Sequence, residues 1–343
     1  MQKNKYNYLS KILHEFYLSN YFISKTSFEI ESLLYNKQIL NKKLGELVFI
    51  TGLARAGTTS LFNAIYQTND FASLTYANMP FLLMPNVWKR LGPKTKSILV
   101  ERAHKDGILI NENSPEALDE YFWKVFLNDS YILTNKLITH NINEIIKQYY
   151  LRYIHLICIY ANKNNYLSKN NNNILRLFSI AEIHKNAKII VVFRNPLSHA
   201  KSLLQQHLNF IELHTNDPFS LSYFNYLGHH EFGLNHKSFY LAEKVSNNYN
   251  INSLNYWLQI WLNYYTYILE NLQENIYFIA FEDICSNPLI VSNYLNSILN
   301  PKNKIVLSGY IPKGQKELTY DQNLISTCNM LYKDLQKKTN TVN

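Results

Sequence analysis

The chain is poor in the residues that staple or metallate a fold. Three cysteines, Cys158, Cys285 and Cys328, stand far apart with no paired or metal-ligand spacing. That excludes a disulfide scaffold and leaves reduced, buried thiols as the default. Long apolar runs are missing too. Stretches such as Tyr153 to Ala161 are short and carry a histidine, so no signal peptide or transmembrane segment is expected and a cytoplasmic enzyme is. Dense basic runs interleaved with aromatics are also lacking. The net charge of +9 is scattered, so a solvated surface plus an anion-binding cleft accounts for it, and no nucleic acid partner is expected. What remains is 343 residues, 47% hydrophobic, enough for one large α/β domain with an appended helical piece.

One further absence is specific. In LVFITGLARAGTTS, residues 47–60, an apolar strand runs into a loop whose Gly52 and Gly57 have the spacing of a nucleotide-binding P-loop, yet Thr58 stands where that motif keeps its lysine. The positive charge sits inside the loop, as Arg55. Glycines let successive N–H groups approach an anion, and the first helical turn adds its own N–H groups and dipole. Thr58, Thr59 and Ser60 bring hydroxyls to the same place. Without the lysine that reaches β- and γ-phosphates, a triphosphate is disfavoured; an arginine in the loop suits a shorter, forked anion such as a phosphosulfate.

The segment GLARAGTTSL resembles the 5′-phosphosulfate loop of sulfotransferases that use 3′-phosphoadenosine 5′-phosphosulfate (PAPS). KIIVVFRNPLSHAKS, residues 188–202, resembles the 3′-phosphate segment of the same family, with Arg194 ending a strand and Ser202 eight residues on. Looser likeness, to the bacterial-type branch, extends over about residues 46–320. The resemblance implies a P-loop-type parallel sheet flanked by helices in three α/β/α layers. It also implies transfer of a sulfonate from PAPS, leaving adenosine 3′,5′-bisphosphate, to a hydroxyl or an amine of an unidentified small-molecule, lipid or glycan acceptor. By the same resemblance Gly52, Arg55, Ala56, Gly57, Thr58, Thr59, Ser60, Arg194 and Ser202 bind the donor. Lys313 and Gly314 match a late Arg-Lys-Gly element that closes over the 3′-phosphate, with Pro312 in place of the arginine.

Along the chain, residues 1–45 read as a helical extension, 46–325 as the sulfotransferase domain and 326–343 as a tail. Leu9, Ile12, Leu13, Phe16 and Tyr17 form one helical stripe, a face that packs on the main domain or meets a membrane surface or partner. Thr26 and Glu29 read as a capping box. Leu47–Thr51, Tyr166–Lys169, Lys188–Phe193 and Ile276–Phe281 are expected buried parallel strands, with ligands at their carboxyl ends; Asn162–Asn165 and Asn170–Asn173 read as loops.

Catalysis of sulfuryl transfer needs cations and N–H donors placed around the leaving oxygen, and no obligatory metal. Arg55 and the strand-end Lys169 suit that role. For the base, the acid that some family members place just after the loop helix is missing from LTYANMPF. SPEALDEYFWK offers Glu116 and Glu120, read as stacked at i, i+4 on a helix capped by Ser114, with Glu116 raising the pKa of Glu120. His104 is the other candidate. Six histidines crowd residues 199–236 without metal-ligand spacing, so they read as an acceptor lid and no metal is expected; Trp257, Trp261, Tyr264 and Tyr265 read as core. Two alternatives stay open: a P-loop kinase with a degenerate loop, using Glu282 or Asp283 for magnesium, and a non-catalytic nucleotide-binding protein.

Overall fold

A computed structural model describes residues 8–92, 100–101, 109–241, 248–309 and 318–339. Its described strands are β1 (Leu47–Thr51), β2 (Phe71–Ala72), β3 (Val100–Glu101), β4 (Leu109–Ile110), β5 (Lys136–Ile138), β6 (Asn165–Lys169), β7 (Ala187–Phe193), β8 (Ser238–Tyr240) and β9 (Ile276–Ala280). Five of them form a parallel sheet in the order β2-β6-β1-β7-β9. All four expected strands are present with ends shifted by no more than one residue. β1 lies at the centre because LVFIT is apolar on both faces: Leu47 and Phe49 enter one core, Val48 and Ile50 the other, and all are fully buried. Helices cover both faces. Thr58–Tyr66 and Pro288–Leu299 pack on the Val48 side, and Glu144–Tyr160 and Leu254–Glu270 on the Phe49 side. The result is the expected three-layer α/β/α arrangement.

The amino-terminal helices Tyr8–Ser19, Tyr21–Leu34 and Asn36–Asn41 join the Phe49-side core through Tyr17, Leu18 and Phe28. The buried face of the first is one step round from the expected stripe. His14, Tyr17 and Leu18 are buried, while Ile12, Leu13 and Phe16 are exposed, Phe16 by 57%. Tertiary partners decide this: Tyr17 Oη pairs with Ser27 Oγ of the second helix and its ring packs on Phe81 and Tyr121, which turns the His14, Tyr17 and Leu18 face inward. The second helix starts five residues before the expected capping box. Asn20 is its N-cap, accepting from Ile23 N at 3.1 Å, and Thr26 and Glu29 lie inside it. At the other end, helix Gln322–Gln336 runs across the boundary drawn at residue 325. It packs as core, burying Leu324, Ile325, Cys328 and Leu335, with Tyr332 edge-on to Phe193. Cys158 and Cys328 are buried thiols, each pushed by burial up to about 12.

Candidate active site at the strand ends

β1 delivers the glycine loop to the middle of the sheet's carboxyl edge. Gly52 leaves the strand at φ 147° and Gly57 caps the next helix at φ 96°, both in the left-handed region that favours glycine. Space demands them as well. A Cβ on Gly52 would run into Val192 O of β7, and one on Gly57 into the Phe281 ring. Arg55 also adopts a left-handed φ, 71°, between half-buried Ala54 and buried Ala56. The Gly57 and Thr58 amides donate to no other group among the described residues, so the loop keeps the donor set an anion would need. Thr58 is buried, Thr59 half-buried and Ser60 exposed.

The second segment folds onto this loop. Arg194 follows β7, and Asn195 caps the helix Pro196–Asn216 by accepting from Ser198 N at 3.2 Å. Arg194 Nε donates to Ser198 Oγ at 3.2 Å, its Nη1 reaches Arg55 O at 3.5 Å, and its guanidinium lies 4.8 Å over the Phe281 ring. One turn further on, Ser202 Oγ accepts from Arg55 Nε at 3.5 Å. The expected donor residues from two distant segments therefore share one locus. Lys313 and Gly314 lie outside the described residues, as does His104.

Several groups around this locus carried no motif. His199 is fully buried and bonds Ala54 O through Nε2 at 2.8 Å; burial, then the Arg194 and Arg55 charges, hold it neutral with its pKa lowered to about 3. Ser198 and His199 follow Arg194 by four and five residues, so helical spacing from the arginine was the signal available. Glu282 accepts from Asn195 N and from Tyr332 Oη, both at 2.9 Å. Its two oxygens tie the arginine turn to the helix Gln322–Gln336, which removes the freedom a magnesium ligand would need. Trp257, Trp261, Tyr264 and Tyr265 are core, as expected, and Trp261 Nε1 and Tyr265 Oη brace Arg194 O and Val192 O.

The acidic segment departs from expectation. Its helix spans Glu120–Leu127 with Asp119 as N-cap, while Glu116 lies in extended backbone beside Leu74, where Pro115 bridges Thr75. The two glutamates are therefore not stacked on a helix, and Ser114 caps nothing there. Glu116 accepts from Tyr76 Oη at 2.7 Å and Ala117 N at 2.8 Å. Glu120 is 1% exposed and fully engaged. Arg176 pairs it bidentately at 2.9 Å on both arms, Asn170 Nδ2 donates at 2.7 Å, and Tyr131 Oη completes the set. Burial alone would raise its pKa, but the Arg176 charge and these hydrogen bonds outweigh burial and lower it. A buried carboxylate without a free lone pair or a path to substrate is a structural ion, so Glu120 is not the base. Asn170–Asn173, expected as a loop, start the buried 3-10 turn Asn171–Arg176 that carries this arginine.

Lys169 ends β6 opposite Ile50 of β1, half-buried at the same edge as the loop. Next to it, the segment after helix Pro218–Leu227 brings in His229 and Glu231, 3.6 Å apart between Nδ1 and Oε2. Glu231 also lines a cleft with Leu53 and Ala54 of the glycine loop, walled by Phe232, Phe239, Trp257 and Ile260.

An α/β protein with a glycine loop at the centre of a parallel sheet, two arginines converging on it and a small apolar cavity alongside offers an anion site at its sheet edge. Comparison with known proteins gives the class its family: residues 47–297 match the sulfotransferase family, and the chain belongs to it. No curated protein sequence matches the chain. Among solved structures, it is similar to the sulfotransferase STF9 of Mycobacterium avium, with 11% identity, coverage of 97% of this chain and 79% of that one, and a TM-score of 0.52. It is also similar to STF1 of Mycobacterium tuberculosis (10% identity, 96% and 82% coverage, TM-score 0.45). A third similar structure is a sulfotransferase from Alicyclobacillus acidocaldarius (16% identity, 86% and 94% coverage, TM-score 0.41). At such identities the likeness concerns the fold alone, and of the three only STF9 is near enough in shape to carry it.

Proposed function

We propose that the chain is a cytoplasmic, PAPS-dependent sulfotransferase that moves a sulfonate to a hydroxyl, or an amine, of a small-molecule, lipid or glycan acceptor. The observation that carries this reading is the contact between the two anion-binding segments: Arg55 Nε lies 3.5 Å from Ser202 Oγ, and Arg194 Nη1 lies 3.5 Å from Arg55 O. One phosphate needs one such cluster. A donor with a 5′-phosphosulfate and a separate ribose 3′-phosphate uses both. The missing loop lysine argues against a triphosphate, and the engagement of Glu282 argues against the magnesium site of a kinase.

PAPS would supply an activated sulfonate joined to phosphate through an anhydride oxygen. The Gly57 and Thr58 amides and the Thr58 and Thr59 hydroxyls would hold the 5′ end, while Arg194 and Ser202 hold the 3′-phosphate. Arg55 would neutralise charge on the bridging oxygen as the bond to sulfur breaks, with Lys169 on the sulfonate side. Calorimetric titration tests the reading. Adenosine 3′,5′-bisphosphate should bind tightly and AMP far more weakly, and ATP should show no magnesium-dependent gain. Equal affinity for all three nucleotides would overturn it.

A further inference from the structure

We propose that His229 accepts the acceptor's proton and that Glu231, which lines a small cavity with Leu53 and Ala54 of the glycine loop, positions it for this. This deepens the sulfonate-transfer reading and rests on it. Both lie in LGHHEFG, residues 227–233, a stretch of looser family likeness that named no role for them; the way the surrounding loop is built does.

The histidine-rich segment divides by role. His207 Nδ1 accepts from Gly233 N at 3.1 Å and His214 Nδ1 from Leu234 N at 3.2 Å. His230 Nδ1 meets Asn235 O at 3.2 Å. His236 bridges Glu231 O at 2.7 Å and Tyr256 Oη at 2.9 Å. These four imidazoles fasten the loop backbone. Its near end is fixed by Gly228, at φ 75°, whose carbonyl accepts from Asn172 Nδ2 at 3.2 Å and where a Cβ would meet Glu120 Cγ at 2.8 Å. A loop tied at that many points holds its remaining polar side chains rigidly, as a catalytic group requires.

Those remaining side chains are His229 and Glu231, 17% and 16% exposed, so they are sheltered yet reachable. Asn171 Nδ2 donates to Glu231 Oε1 at 3.1 Å and fixes the carboxylate. Asn171 O in turn accepts from Tyr264 Oη, which also meets Thr51 Oγ1 at 3.2 Å, so the pair is tied to the end of β1. Glu231 Oε2 faces His229 Nδ1, and among the described residues Nε2 has no hydrogen-bond partner. A carboxylate on one ring nitrogen sets the tautomer and leaves the other to act as base, the logic of an acid-oriented histidine. Three charges bear on the imidazole: Glu231 from its own loop, Lys169 from β6 and Glu116 from the segment beside Leu74. Burial and Lys169 lower its pKa, Glu231 and Glu116 raise it, and the acids prevail. The imidazole is thereby a stronger base than a free one.

The step balances simply. The acceptor oxygen forms a bond to sulfur, its proton passes to His229 Nε2, and the sulfur–oxygen bond of the phosphosulfate anhydride breaks with its electron pair going to the 5′-phosphate. Arg55 would neutralise the charge left on that phosphate. The small cavity beside the pair is lined by Leu53, Phe232, Phe239, Trp257 and Ile260, so a hydroxyl brought to it meets apolar walls.

The test follows His229 directly. Histidine-labelled protein is titrated by NMR, with the His229 signal assigned by its loss in His229→Gln, and the same samples are titrated with adenosine 3′,5′-bisphosphate by calorimetry. Release of the bisphosphate from PAPS is then timed with water and with 2-naphthol as acceptors. His229 should titrate above 6.5 and move down in Glu231→Gln. Bisphosphate affinity should stay within about two-fold of wild type. Turnover should fall roughly 10²-fold in His229→Gln, and less in Glu231→Gln, whose acid limb moves to lower pH. Wild-type turnover in His229→Gln, or a His229 titration indifferent to Glu231→Gln, overturns the assignment. A wild-type protein that does not bind the bisphosphate overturns the donor reading instead, and leaves the coupled titration standing.

Discussion

Arg176 and Glu120 show how far a single residue's role depends on what surrounds it. Both are buried, and Arg176 is further stacked against Trp123 at 4.8 Å and Tyr131 at 5.2 Å. Glu120→Gln strands a guanidinium in the core and should cost about 3–5 kcal/mol, read from urea unfolding. Glu29→Gln, which breaks the half-exposed Glu29–Arg152 pair at 3.9 Å, should cost under about 1 kcal/mol; equal effects would mean Arg176 is not carried by Glu120. Arg194→Ala should weaken adenosine 3′,5′-bisphosphate by about 1.5–3 kcal/mol and leave AMP nearly unchanged. Parallel losses for both nucleotides would make Arg194 a purely structural residue. Arg55, Arg194 and Ser202 were legible because their chemistry is local to short motifs. Glu120 was misread because its partners come from 11 to 56 residues away, and no spacing reports them. His229 and Glu231 were hidden inside a run of histidines whose members only the fold separates by role.

At the scale of elements, β1, β6, β7 and β9 could be read from apolar runs, since strands buried on both faces need little but length and β-branched content. Caps were less legible. Asn20 was overlooked in favour of Thr26, and the helix expected to follow Ser114 begins only at Glu120, behind an Asp119 whose carboxylate serves Tyr150 and Tyr166 and caps nothing. The glycine loop offers a sharp test. Gly57→Ala meets both a strained φ and the Phe281 ring, so anion affinity should drop at least tenfold. Measured against Phe281→Leu alone, because that ring also lies under Arg194, the double variant Gly57→Ala/Phe281→Leu should show a smaller loss from the added methyl than Gly57→Ala shows in the wild type, which no purely conformational penalty would allow. On the first helix, Phe16→Ser should change stability by no more than about 0.5 kcal/mol, whereas Tyr17→Ala should cost several. A cost of several kcal/mol for both would restore the stripe expected from the sequence.

The whole molecule carries an acid sensitivity set by its buried imidazoles. His140, His155, His207, His230 and His236 are lowered to about 4 and His199 to about 3, in every case chiefly by burial. Each binds a proton more weakly in the folded chain than in the unfolded one. Their contribution is therefore complete above pH 6.5 and is lost as the pH falls towards 4. His229, Glu31 and Asp119, all raised, work in the opposite sense and are fewer. Urea midpoints should fall steeply between pH 6.5 and 5 and hold level from 7 to 8. A flat profile across both ranges would mean these imidazoles stay accessible to protons. Among the described residues no helix is long and apolar enough to cross a membrane.

The central position of β1 sets a timetable for synthesis. Its partners β6 and β7 begin more than a hundred residues downstream, which at ribosomal speed is on the order of ten seconds. During that interval LVFIT is a short, uncharged, aggregation-prone strand with both edges unpaired. Its hydrogen bonds to both neighbours form only after residue 193 has been made, and the Phe49→Asp variant, which places a gatekeeper charge in that strand, would gain solubility before release only by forfeiting the sheet afterwards.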